Sequence, residues 1–222
     1  MSWIQESYTR SKKIQDSYNL NGIPIYIKNK FVNDIDMEFV IRFINSRIPS
    51  HMMKGVDVIY VGQFEDLILR NVNAIYQHGA IYMTNEQRDE MDAIDDIIHE
   101  FAHACEKEHT HKIYNGSIER EFLGKRRRLY SVIKAEGYDI TPTFKINMDY
   151  DRDIDDFLYM EIGYNKLNNL VRGLMPSAYA ATSVREYFAT CFEEYFMGDI
   201  QYLKTICPAA YNVLLSLTEM EG

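Results

Sequence analysis

Apolar positions along this chain change their period several times, and each change marks an element. Ile94, Ile97, Ile98, Phe101, Ala102 and Cys105 recur at i, i+3, i+4, the stripe of an amphipathic helix. Met37, Val40, Ile41 and Ile44 do the same, predicting a helix that Asn33 or Asp34 caps and Pro49 closes. Residues 23–28 and 56–62 are rich in β-branched and aromatic residues and read as strands. Residues 74–76 and 80–84 flank Gln77-His78-Gly79 and read as a hairpin whose turn holds the glycine. Residues 1–20 are polar with scattered aromatics and predict a short helix, as do residues 65–72. After a polar break at 108–117, a helix runs to about Glu136, where Gly137 ends it. A Pro- and Asp-containing connection follows, then helical pattern from Asp153 to Arg172, and a last helix from Thr182 or Ser183. The elements add up to an α+β domain of 222 residues. A small twisted sheet and a long helix fill an N-terminal lobe, residues 1–110. Residues 111–222 form a mostly helical C-terminal lobe.

The long helix carries His99-Glu100-Phe101-Ala102-His103. Residues four apart on a helix project from the same face, one turn above the other. Two imidazoles so placed can share one zinc ion at about 2.0–2.1 Å. Glu100 points away from the His99 direction, poorly placed as a third ligand but well placed to take a proton from water that the metal has acidified. The strand at Ala80, Ile81 and Tyr82 leads towards this helix. Read as an edge strand, it offers main-chain pairing to an extended peptide.

Catalytic zinc commonly keeps three protein ligands and one open position, so the third must come from elsewhere. Two sources compete. His109 completes the metzincin spacing, but Glu106 replaces the glycine that would turn the chain. Glu186 lies on a stripe with Ala189, Thr190 and Glu193 in the last helix.

Here the chain resembles the gluzincin metallopeptidases, most closely the catalytic domain of anthrax lethal factor and its relatives. His99-Glu100-Phe101-Ala102-His103, then Glu186-Tyr187-Phe188-Ala189, and Tyr179 seven residues before that glutamate match the family pattern in order. The resemblance implies a zincin-like fold and zinc held by His99, His103 and Glu186. It further implies Glu100 as general base and Tyr179 steadying the oxyanion. It covers roughly residues 75–197. Thr190 departs from it, standing where the family often has a second acidic residue.

Charge and composition narrow the rest. A net charge of -9 argues against nucleic acid as partner. The run Lys125-Arg126-Arg127-Arg128 reads as a solvated helix face. Three cysteines, Cys105, Cys191 and Cys207, form no disulfide framework and read as small buried residues. No secretory signal or membrane span is visible. A cytoplasmic protein is expected, or one released by a non-standard route. The function expected is a zinc-dependent metalloendopeptidase acting on a protein or peptide. The alternative is a zincin-fold structural or binding protein with a vestigial or non-catalytic zinc site.

Overall fold

The computed structural model describes residues 16–220. It is α+β, with a five-stranded mixed sheet and a largely helical remainder. The chain divides into two compact units, the first ending at Glu108 and the second starting at His109.

In the first unit, β1 (Asp16–Leu20) and β2 (Ile23–Ile27) form an antiparallel hairpin. The helix predicted over residues 1–20 gives way to a strand from residue 16, and its earlier part lies outside the described residues. Asn21 and Gly22 make the turn at φ 51° and 95°, the left-handed pair that a two-residue hairpin needs. Helix α1 (Met37–Arg47) follows, capped by Asp36, whose carboxylate accepts from Phe39 N. Then come β3 (Val58–Val61), α2 (Glu65–Arg70), β4 (Ala74–Gln77) and β5 (Ala80–Met83). Strand order is β1-β2-β3-β5-β4, with β2-β3 and β3-β5 parallel.

This order corrects one expectation. β5, with Ala80, Ile81 and Tyr82, is paired on both sides, so it offers no free main-chain edge. Among the described residues β4 is the edge strand on that side of the sheet and β1 the edge on the other. The hairpin folds back through His78 and Gly79 at φ 51° and 83°, and β5 then inserts beside β3.

The two sheet faces differ as the two-residue period requires. Ile25, Ile27, Ile59, Val61, Ile81 and Met83 are buried on one face. On the other, Tyr26, Tyr60 and Tyr82 are register partners. Their rings stack across the strands at 5.9 and 5.5 Å, a cross-strand ladder that stabilises a half-exposed face.

Helix α3 (Glu90–Ile113) carries the His-Glu-x-x-His element. The polar stretch after Glu108 predicts a break, and α3 is kinked there: His109 leaves helical geometry (φ −121°, ψ 22°), and a second helical stretch continues to Ile113. Ile113 is fully buried, and that burial offsets the polar residues around it.

The second unit contains α4 (Ser117–Ala135) and α5 (Arg152–Asp156). The latter passes into a π-helical turn, Phe157–Ile162, before α6 (Tyr164–Val171). The single helix predicted over 153–172 is therefore interrupted, at the wide turn and at Gly163 with φ 78°. A 3₁₀ turn, Tyr179–Ala181, leads into α7 (Val184–Met197), and α8 (Ile200–Ile206) and α9 (Pro208–Thr218) complete the unit. No helix among the described residues is long and apolar enough to cross a membrane.

The basic run on α4 is not a solvated face throughout. Arg127 and Arg128 are exposed, but Lys125 is 7% and Arg126 0% exposed. Arg126 Nε and Nη2 donate to Ala181 O at 3.0 and 2.8 Å, and Nη2 also to Thr182 O at 2.8 Å. Its guanidinium lies between the rings of Phe122 and Phe144. Burial pulls its pKa down to about 10, which leaves it charged at neutral pH. A planar fork suits three carbonyl bonds and two ring faces at once, and an ammonium does not. One turn earlier on α4, Glu121 accepts from Tyr187 Oη and from Ala209 N at 2.8 Å each, tying α7 to the start of α9.

Arg126→Lys is therefore expected to destabilise the protein by about 2–4 kcal/mol. Arg127→Lys should change stability by less than about 0.5 kcal/mol. Denaturant midpoints at unchanged slope check both.

Candidate metal centre

His99 and His103 stand one turn apart on α3, with ring centroids 4.9 Å apart and planes at 78°. The His103 side chain is only 11% exposed, and its Nδ1 lies 3.3 Å from Glu106 Oε2. A carboxylate at Nδ1 favours the tautomer that leaves Nε2 as an acceptor, the arrangement that orients a metal-binding imidazole and raises its basicity. In the sequence Glu106 stands out only as the residue replacing a glycine. Its signal was the three-residue offset from His103, which puts both on one helix face.

Glu100, 6% exposed, turns towards the sheet. Its Oε2 accepts from the main-chain N–H of Tyr76 at 2.5 Å. The register explains why that donor is available. Thr84 N donates to Asn73 O, and Ile75 opposes Tyr82. Alternate residues of β4 thus bond to β5, and Tyr76 turns its main chain outward. The Tyr76 phenol donates to Gly55 O at 2.9 Å, and the Lys107 ammonium lies 5.9 Å from its ring centre.

In the second unit, Glu186 occupies the first turn of α7, where the helix dipole favours a carboxylate. Ser183 caps that helix, its hydroxyl accepting from Glu186 N at 3.2 Å. The Thr190 hydroxyl donates to Glu186 O at 2.8 Å and so bonds within its own helix. Tyr179 opens the 3₁₀ turn and is 36% exposed. Its ring meets Tyr164 edge-on at 6.5 Å. Tyr164 Oη donates to Asp155 Oδ1 at 3.1 Å, and Tyr150 Oη to Asp155 Oδ2 at 2.9 Å. Burial, then the charges of Asp155 and Glu186, push the Tyr164 phenol well above its ordinary pKa. It stays a neutral donor. Nothing in the sequence marked Tyr164 or Asp155, whose pairing depends on the interrupted helix between them.

His99 and His103 on α3 and Glu186 on α7 each offer one atom that can ligate a metal ion. His109 is not in this group. Two imidazoles and one carboxylate are a donor set that zinc accepts, with a fourth position left over.

One turn before Glu100, Asp96 accepts from Gln87 Nε2 at 2.8 Å. Burial, more than the neighbouring carboxylates Asp92, Asp95 and Glu100, raises its pKa to about 7. A raised carboxyl pKa means that the folded chain holds a proton which the unfolded chain loses near pH 4. Stability should therefore fall as pH rises from about 4 to 7. Asp96→Asn keeps the acceptor for Gln87 and removes this dependence. The variant should gain on the order of 1–3 kcal/mol over wild type at pH 8, and little at pH 4, in paired unfolding curves.

Glu106→Ala should weaken zinc binding about 10–100-fold with the fold retained, as competition against a fluorescent chelator would read.

Comparison of the chain with protein-family models, with curated proteins and with solved structures finds no match, so a functional reading rests on these side chains and their surroundings.

Proposed function

We propose that this chain is a zinc-dependent metalloendopeptidase with a zincin-like fold, of the gluzincin type, acting on a protein or peptide substrate. The observation that carries the reading is the pair His99 and His103, one turn apart on α3 with ring centroids 4.9 Å apart, on a helix that places Glu100 beside them.

His99, His103 and Glu186 would hold the ion, the carboxylate offsetting part of its charge. Zinc bound there supplies a Lewis acid that polarises a carbonyl and acidifies water. Glu100 accepts the proton of the attacking water and returns it to the leaving amine. The Tyr179 hydroxyl donates to the oxygen on which charge develops. Tyr179 is exposed enough to meet a substrate, and its ring contact with Tyr164 limits its swing.

Glu100→Gln should keep fold and zinc content while turnover of a peptide library falls by about 10²–10⁴. Glu186→Ala should lose both zinc and activity, and His109→Ala neither. Equal proteolysis by Glu100→Gln and wild type would overturn the mechanism. Zinc lost with His109 and kept without Glu186 would overturn the ligand set.

A further inference from the structure

We infer that the main-chain N–H of Tyr76 is a positioning group for Glu100, so that the sheet edge, and not the helix alone, sets the geometry of the base. The inference rests on the assignment of Glu100 as base and adds what holds it there. A glutamate on a helix has three side-chain torsions, and its own backbone leaves the carboxylate free to sweep. Here Oε2 accepts from Tyr76 N at 2.5 Å, and the hydrogen bond removes that sweep. Proton transfer falls steeply with misplacement of about an ångström, so a fixed carboxylate plane has kinetic value.

The donor is itself held on several sides. β4 is bonded to β5 over Ala74–Gln77. The Tyr76 phenol is tied to Gly55 O at 2.9 Å. Gly55 in turn sits at φ 96°, a conformation that suits glycine, with a Cβ position only 3.2 Å from Glu108 Cγ. The parity of the hairpin matters as much as these contacts. A one-residue slip of β4 against β5 would turn the Tyr76 N–H into the ladder and present a neighbouring residue's groups outward. The His78-Gly79 turn that fixes this register thereby fixes the base.

Two measurements test this. The first uses metal-free protein and needs no activity. In amide hydrogen exchange followed by NMR, the Tyr76 N–H should be protected in wild type. That protection should drop at least about tenfold in Glu100→Ala, while Ile75 and Gln77, bonded within the hairpin, keep theirs. Unchanged Tyr76 exchange in Glu100→Ala overturns the contact. The second replaces the Tyr76 amide by an ester through its α-hydroxy acid, deleting the N–H and leaving the side chain. In zinc-loaded protein kcat should fall about tenfold with KM within about twofold, and the ester should add nothing in a Glu100→Ala background. An ester at Ile75, which removes a ladder bond instead, should lower Tm and leave kcat. A Tyr76 ester that lowers kcat equally in both backgrounds, or not at all while Glu100→Ala is inactive, overturns the positioning role. Full activity in Glu100→Ala instead overturns the assignment of the base, whatever the exchange data give.

Discussion

The burial of one face of α3 sets the terms for the chemistry. Ile94, Ile97, Ile98, Phe101, Ala102 and Cys105 are all at most 1% exposed. Each large side chain among them contributes on the order of 1.5–3 kcal/mol by leaving water. That face cannot rotate without exposing them. His99, Glu100 and His103 are therefore pointed by the core, before any ligand is bound. Glu106 and Tyr76 then settle the remaining torsions, the first on His103 Nδ1 and the second on Glu100 Oε2.

The second unit uses a buried cation for a comparable purpose. Arg126 gathers the carbonyls of Ala181 and Thr182, the two residues just before the Ser183 cap of α7. Carbonyls leading into a helix have few partners of their own in a 3₁₀ connection, and the guanidinium satisfies them while the rings of Phe122 and Phe144 cover its faces. The connection carrying Tyr179 and the start of the helix carrying Glu186 are thus held by one side chain. Such an arrangement is sensitive. A truncated Arg126 would leave unpaired carbonyls in a site closed to water.

Much of the fold was legible locally. The i, i+3, i+4 stripes gave α1 and α3, and the β-branched runs gave β2, β3 and the β4-β5 hairpin, because each pattern is a property of neighbouring residues. Asn21-Gly22 is a strong hairpin signal as well, and it could have revealed β1 where a helix was expected. His99, Glu100 and His103 were readable for the same reason, since their relation is fixed by helical spacing. The Cys residues read as small buried side chains, and all three are buried.

What the sequence by itself determined, then, is the set of relations that span a turn or two of helix or a tight hairpin. Only the tertiary structure decided which strand of the β4-β5 hairpin lies at the sheet edge, that Lys125 and Arg126 point inward while Arg127 and Arg128 do not, and that the helix after Asp153 opens into a π-turn at Phe157. It alone paired Glu100 with Tyr76, 24 residues away, and Arg126 with Ala181, 55 residues away. The physical reason is common to all of these. A local pattern is stabilised by contacts that the chain cannot avoid making once it coils or extends. A buried charge or an outward N–H finds its partner only when separate elements have packed, and many sequences with the same local periods would pack them differently.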